Sequence, residues 1–187
     1  RVFVTGASRG IGSKIASKFR GEGAFVIGTR TSSESRCEAV FDQWYDVDFS
    51  DEQQIVECAK WLSGQSIDIL INNAGVNVNA SFKDIDLEVF KKIQQVNLLA
   101  PFLLSQAVIE GMSSKNWGRI VNISSIWGKI SMGGRAAYSA SKFALDGLTV
   151  GLAAEYSSSG IMANCIAPGF IDTSLTRRML SADQIKN

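Results

Sequence analysis

The 187-residue chain contains no histidine, and this limits the chemistry open to it. Without an imidazole, it cannot build a Ser-His-Asp or Cys-His catalytic centre, or a metal site that uses histidine ligands. If the protein is an enzyme, proton transfer falls to tyrosine, lysine, cysteine or a carboxylate.

Cysteine is scarce as well. The three cysteines, Cys37, Cys58 and Cys165, lie far apart and form no C-x-x-C motif. An odd number without paired spacing argues against a disulfide framework or a zinc site and favours a reducing compartment. We therefore expect a cytoplasmic protein without a metal ion.

An excess of charge and a long hydrophobic run are also missing. The chain has 19 basic and 18 acidic residues, a net charge of +1, so nothing predicts a nucleic-acid or membrane-surface partner. No apolar run approaches the roughly 20 residues that a membrane-spanning helix needs. The hydrophobic content of 45% is ordinary for a globular protein.

What the chain does contain is a regular alternation of short apolar runs and longer amphipathic stretches. Strands are predicted at 2–4, 24–29, 44–49, 67–75, 118–125 and 161–169. Helices are predicted after the first strand and at 51–62, 87–112 and 136–156, with a kink at Pro101. This order predicts one α/β domain over residues 1–187, a doubly wound parallel sheet with helices on both faces. Because the chain opens inside a strand and closes in a helical pattern, we expect a longer natural protein.

A glycine-rich segment, "TGASRGIGSK" (5–14), follows the first predicted strand. Its spacing, G-x-x-x-G-x-G at Gly6, Gly10 and Gly12, fits neither the P-loop nor the common G-x-G-x-x-G fingerprint. Glycines without a Cβ still let the backbone approach a ligand, and the helix that follows offers free N–H groups. The position of the segment favours the pyrophosphate of a dinucleotide.

A second pattern places Tyr138 and Lys142 four residues apart, on one face of a predicted helix. Such a pair is commonly a solvated helix face. This helix, however, follows a strand that ends in Ser124 and Ser125, and the chain has no histidine for acid–base work. A nearby ammonium favours the ionised form of a tyrosine, whose ordinary pKa is about 10.

Five segments together resemble a known family. "TGASRGIG" (5–12), "NNAG" (72–75), "NISS" (122–125), "YSASK" (138–142) and "PGFIDT" (168–173) occur in the order and spacing of the short-chain dehydrogenases/reductases. The resemblance covers essentially the whole chain and is strongest to the β-ketoacyl-acyl-carrier-protein reductase branch. It implies a Rossmann-like, three-layer α/β/α domain with strand order 3-2-1-4-5-6. It also implies hydride transfer between NADP(H) and a carbonyl or secondary alcohol.

The resemblance assigns a catalytic set. It makes Tyr138 the proton donor or acceptor, and Lys142 the residue that tunes it and binds the nicotinamide ribose. Ser125 would polarise the substrate oxygen, with Ser124 as the neighbouring alternative, and Asn97 would hold a water of the proton relay.

The segment after the second predicted strand indicates the form of the cofactor. NAD-dependent relatives carry an acidic residue there, whereas this chain has Arg30 and Thr31, and Arg9 adds a charge in the glycine segment. Guanidinium groups suit a 2′-phosphate, so NADP(H) is predicted. By resemblance, the cofactor contacts are Gly6, Ser8, Arg9, Gly10, Ile11, Gly12, Arg30, Thr31, Asp48, Phe49, Asn72, Ala74, Gly75, Tyr138, Lys142, Pro168, Gly169, Ile171 and Thr173.

The substrate is less constrained. A 3-oxoacyl thioester, small or carrier-bound, is the first expectation, with Trp127, Met132 and Phe170 as an apolar wall. A sugar, a steroid or a small ketone would suit the same motifs. A non-catalytic NADP(H)-binding regulatory protein is the alternative from another class. The resemblance implies a homotetramer or homodimer assembled through the helices 87–112 and 136–156.

Overall fold

The strands form one parallel sheet. The computed structural model of the protein describes residues 1–34, 37, 41–173 and 177. Its strands are β1 (Val2–Val4), β2 (Val26–Arg30), β3 (Gln43–Asp46), β4 (Ile69–Asn72), β5 (Gly118–Ile123) and β6 (Ile161–Ile166). Their spatial order is β3-β2-β1-β4-β5-β6, which confirms the predicted Rossmann-like topology.

Helices connect the strands. They are α1 (Gly10–Gly21), α2 (Glu52–Ser63), α3 (Leu87–Gln94), α4 (Ala100–Ser114) and α5 (Ala136–Tyr156). The side chains of Asp51 and Asp86 accept hydrogen bonds from the first backbone N–H groups of α2 and α3, which fixes where these helices begin. The helical pattern predicted near residue 187 lies outside the described residues.

The core lies on both faces of the sheet because successive side chains of a strand point in opposite directions. Phe3 packs into a cluster with Leu62 of α2 and Leu104 of α4. Its neighbours Val2 and Val4 pack on the other face with Ala16 of α1. This two-sided burial confirms the predicted layers of helices around a parallel sheet.

The helical stretch 87–114 is interrupted before Pro101 rather than at it. One π-helical turn, Gln95–Leu99, joins α3 to α4, and Pro101 lies in the first turn of α4. A π turn adds one residue to the helix and is frequent at functional sites. By length and composition this stretch could cross a membrane, but Leu104, Val108 and Met112 pack in the core, as in the core helix of a globular protein.

The parallel register brings the carboxyl ends of the strands to one edge. Val4 pairs with Ile71, and Asn72 with Asn122. The third strand ends at Asp46, earlier than predicted, because Asp48 accepts hydrogen bonds from the N–H and hydroxyl of Ser50 and turns the chain toward α2. The segments after β1, β3, β4, β5 and β6 therefore converge on one rim of the sheet.

The close packing around Gly160, between α5 and β6, can be tested by substitution. Its φ of +73° is left-handed, and a Cβ would lie 2.0 Å from the carbonyl oxygen of Asn116. We expect Gly160→Ala to lower the free energy of unfolding by about 2 kcal/mol or more, measured by urea denaturation. Gly111→Ala is the control, because nothing lies within 4 Å of its Cβ position. Equal stability of the two variants would contradict the expectation.

Candidate active site

A cavity of about 460 Å³ opens at the carboxyl edge of the sheet. Its size is that of a small-molecule or cofactor site. The predicted cofactor residues on its wall are Gly6, Ser8, Arg9, Gly10, Ile11, Arg30, Thr31, Asp48, Phe49, Ala74, Gly75, Tyr138, Lys142, Pro168, Gly169, Ile171 and Thr173. Ser124 and Ser125 lie on the same wall.

The glycine segment is held by side chains of neighbouring strands. The hydroxyl of Thr5 accepts hydrogen bonds from the backbone N–H groups of Asn73 and Ala74, both at 2.9 Å. The N–H of Gly6 donates to the Thr29 hydroxyl at 2.9 Å. Gly6 and Gly10 have φ values of +63° and +60°, so both positions favour glycine. At these two glycines the segment thus presents backbone to the cavity.

Gly12 lies behind the wall rather than on it. A Cβ there would be 2.4 Å from both the Asn73 Nδ2 and the Gly6 oxygen. The same amide nitrogen donates to the Thr5 carbonyl at 2.8 Å. Gly12 therefore lets α1 approach the segment closely, and Asn73, which sequence reasoning did not single out, fastens it.

Asn72 is also placed away from the cavity. Its Nδ2 donates to Asn122 Oδ1 at 2.8 Å and to the Ser105 hydroxyl at 3.3 Å. Asn122 in turn donates to the Thr149 hydroxyl at 2.8 Å. These buried amides connect the ends of β4 and β5 to helices α4 and α5.

Asn97, on the π turn, is fully buried and joins two segments. Its side chain exchanges two hydrogen bonds of 2.9 Å with the backbone of Val76, after β4. Its Nδ2 also donates to the Ser141 hydroxyl on α5 at 3.0 Å. In an α-helix the Asn97 carbonyl would accept the N–H of residue 101, but Pro101 has none. Asn97 thus joins the segment after β4 to α5 without lying on the cavity wall.

Tyr138 and Ser125 meet on the wall. Burial raises the pKa of Tyr138, while a hydrogen bond with the Ser125 hydroxyl and the charge of Arg135 act to lower it. Ser125 also accepts the N–H of Trp127 at 3.2 Å, which fixes the turn after β5. Ser124 lies instead beside the Asp146 carboxylate. The two serines thus have different neighbours, and only the Ser125 hydroxyl acts on the pKa of Tyr138.

Lys142 is 4% exposed, and its Nζ donates to the Ile123 carbonyl at 2.8 Å. Burial lowers the pKa of this lysine to about 8. Its Nζ lies 5.6 Å from the centre of the Tyr138 ring, yet the charges that lower the pKa of Tyr138 do not include it. The tuning role of Lys142 stays a prediction, because a ribose bound beside the ammonium would change its surroundings.

At the opposite end of the cavity, Arg30 is already ion-paired. Its Nε donates to Asp46 Oδ1 at 2.6 Å, and its Cζ lies 5.1 Å from the Trp44 ring centre. Sequence reasoning missed Asp46, because the contact depends on the register that pairs the last residues of β2 and β3. Arg9 is exposed and has no ion pair within the described residues.

Residues 1–184 match the family pattern of the short-chain dehydrogenases. The chain belongs to this family. The resemblance predicted from the five motifs is therefore confirmed, and with it an oxidoreductase that uses a nicotinamide dinucleotide.

Two curated relatives share a name. The chain is 40% identical to a 3-oxoacyl-[acyl-carrier-protein] reductase of Escherichia coli K12, over 97% of this chain and 77% of the relative. It is 38% identical to the protein of the same name from Vibrio cholerae, over 94% of this chain and 75% of the relative.

Solved family structures agree in fold. A gluconate 5-dehydrogenase from Burkholderia cenocepacia, in complex with NADP and tartrate, has a TM-score of 0.88 and 29% identity, over 98% of this chain and 76% of its own. A 4-hydroxyisoleucine dehydrogenase complexed with NADH and succinate has a TM-score of 0.86 and 34% identity, over 96% of this chain and 80% of its own. Enzymes that act on unlike substrates thus share this fold.

The cavity of this short-chain dehydrogenase fits a dinucleotide. Two left-handed glycines and the first turn of α1 lie on its wall, where backbone N–H groups favour a pyrophosphate. The wall also includes residues that sequence reasoning did not select, among them Val47, Ser50, Asn73, Val76, Lys92, Val96 and Ile123. Apolar wall residues give no signal in the sequence, because a core valine has the same pattern.

Burial of Lys142 makes stability depend on pH. Above a pH of about 8 the folded protein has released a proton that the unfolded chain keeps up to about 10.4. The free energy of unfolding of wild type relative to Lys142→Met should therefore rise with pH across this window, by at most about 3 kcal/mol. Urea denaturation at several pH values measures the difference. The exposed Lys60→Met is the control, and a difference that falls with pH would contradict the expectation.

Proposed function

We propose that the protein is an NADPH-dependent reductase of carbonyl compounds, with a 3-oxoacyl thioester reduced to its 3-hydroxyacyl form as the favoured reaction. The contact between Tyr138 and Ser125 on the cavity wall carries the proposal. It puts a proton donor beside a hydroxyl that can hold the substrate oxygen, within a cavity that fits a dinucleotide.

Each of these residues has a separate role in the proposed reduction. The Ser125 hydroxyl holds the carbonyl oxygen, and Tyr138 donates a proton to that oxygen as it gains negative charge. The nicotinamide, when bound, supplies the hydride. Lys142 holds the ribose and favours the tyrosinate left behind, and Asn97 holds a water of the proton relay.

The names of the curated relatives and an apolar surface support the acyl substrate. Trp127 and Phe170 contact each other edge to face at 6.0 Å on one side of the site, and Met132 is exposed nearby in sequence. An acyl chain would be buried against such a surface. The solved dehydrogenases act on small polar compounds, so sugar acids and hydroxy acids form the second substrate class.

A non-catalytic NADP(H)-binding protein is the competing proposal. Tyr138 and Ser125 lie on the same wall with a buried lysine beside them, which disfavours this alternative, because a binder has no need of a proton donor.

The proposal also covers the oligomeric state and the cellular location of the protein. Exposed apolar side chains on α4 and α5, among them Phe102, Phe143 and Val150, support a homodimer or homotetramer. The cysteines of the described residues form no disulfide, which supports a cytoplasmic location.

The central test is an NADPH-oxidation screen across 3-oxoacyl thioesters, keto sugars, oxo acids and small ketones. We expect the highest kcat/KM for a 3-oxoacyl thioester, and a loss of about 1,000-fold or more in Tyr138→Phe with nearly unchanged NADPH binding. Tyr156→Phe is the matched control and should retain activity. Tight NADPH binding without turnover of any compound would favour the regulatory alternative.

Cofactor preference is tested by titrating protein fluorescence with NADPH and NADH. Loss of a guanidinium that binds the 2′-phosphate should weaken NADPH about tenfold in Arg9→Ala and in Arg30→Ala, with little change for NADH. Arg20→Ala, on the exposed side of α1, is the control. A wild-type preference for NADH would overturn the assignment.

A further inference from the structure

The ion pair between Arg30 and Asp46 lies at the end of the cavity that the proposed function gives to the 2′-phosphate. Arg30 Nε donates to Asp46 Oδ1 at 2.6 Å, because the register of β2 and β3 places these two residues side by side. Arg30 lies on the cavity wall, and its side chain is 20% exposed. A carboxylate bonded to a guanidinium that is to bind a phosphate opposes that binding, so its presence requires an explanation.

Two contacts fix the position of this guanidinium. Besides the bond to Asp46, its Cζ lies 5.1 Å from the ring centre of Trp44, a distance typical of a cation–π contact. The bond to Asp46 is made by Nε and does not use the two Nη nitrogens, which can bind phosphate oxygens as a fork. An uncharged acceptor with the shape of aspartate would therefore keep both contacts of Arg30.

The charge of Asp46 acts in opposite directions on the binding of the two cofactor forms. A phosphate monoester carries a charge of about −1.5 to −2 at pH 7. An anion bonded to Arg30 is separated from the carboxylate by little more than the guanidinium itself, which is less than the Debye length of about 8 Å at physiological ionic strength. The carboxylate therefore repels a 2′-phosphate. With a 2′-hydroxyl in its place, the same carboxylate keeps the largely covered Arg30 paired.

The other charged groups on this part of the wall do not act on Arg30 in this way. Asp48 is also acidic, but its Oδ1 accepts the N–H and the hydroxyl of Ser50, in the turn that leads to α2. Arg9 adds a positive charge and forms no ion pair with a carboxylate in the described part of the chain. Asp46 is thus the carboxylate in direct contact with a proposed phosphate ligand.

We propose that Asp46 is a specificity-determining residue that narrows the preference of the protein for NADP(H) over NAD(H). It offsets part of the positive charge that Arg9 and Arg30 provide, so the same subsite accepts a 2′-phosphate or a 2′-hydroxyl. The inference rests on the proposed function in one respect, namely that Arg30 binds the 2′-phosphate. It is independent of the reaction proposed for Tyr138 and Ser125.

Two nucleotides isolate the contribution of the phosphate. Adenosine 2′,5′-bisphosphate and adenosine 5′-monophosphate differ only in the 2′-phosphate, and both lack the nicotinamide. Calorimetric titration of the protein with each gives the ratio of their dissociation constants without any turnover. Asp46→Asn removes the charge of the carboxylate and keeps an oxygen that can accept the hydrogen bond from Arg30 Nε.

We expect Asp46→Asn to bind the bisphosphate about fivefold more tightly at low salt, with less than about a twofold change for the monophosphate. Because the lost repulsion is electrostatic, this gain should shrink as NaCl is raised to about 1 M, where the Debye length is about 3 Å. The ratio of NADPH to NADH affinity should shift in the same direction. Asp42→Asn, at the other end of β3, is the matched control, because it removes the same charge from a residue that pairs with Arg20.

Equal discrimination by wild type and Asp46→Asn, or weaker binding of the bisphosphate by the variant, would mean that Asp46 only holds Arg30 in place, and the proposal would be wrong. Failure of the proposed function looks different. If Arg30→Ala binds the bisphosphate as tightly as wild type, the cofactor assignment fails together with this inference. Absence of turnover, with the shift in Asp46→Asn intact, would overturn the proposed reaction and support this inference.

Discussion

The hydrogen bond between the Lys142 ammonium and the Ile123 carbonyl is the contact on which the site depends. Ile123 ends β5 and precedes the serines by one and two residues, while Lys142 lies one helical turn beyond Tyr138. The bond therefore fixes helix α5 against the end of the sheet and sets the separation of tyrosine and Ser125. The cost of burying an ammonium is the cause of its lowered pKa.

Loops form the wall of this site, yet side-chain hydrogen bonds hold each loop. Thr5 and Asn73 fix the glycine segment, Asn97 fixes the segment after β4, and Ser125 fixes the turn after β5. Each contact satisfies a buried backbone group that no strand partner reaches. The rim is therefore preorganised by hydrogen bonds to the backbone, and Ser125 and Tyr138 lie on its cavity wall.

The order of elements and the position of the site were predictable, because hydrophobic periodicity and the glycine spacing are local properties of the sequence. Contacts that depend on tertiary structure were not. The Asp46 partner of Arg30 requires the register of two strands, and the burial of Arg135 requires the packing of two loops. Gly12 and Asn72 were predicted to contact cofactor, yet they lie behind the wall because motif membership does not reveal which way a residue faces. The family's signature thus mixes residues that line the cavity with residues that support it.

The π turn at Gln95–Leu99 also sets the rotational phase of the long helix. One residue fewer would turn everything after it by about 100° around the helix axis. The buried side of α4, with Leu104, Val108 and Met112, would then rotate away from the sheet. The extra residue is what allows Asn97 to bond Val76 and Ser141 while α4 keeps its apolar side in the core. Deletion of a single residue from this turn would therefore break either the contacts of Asn97 or the packing of α4 in the core.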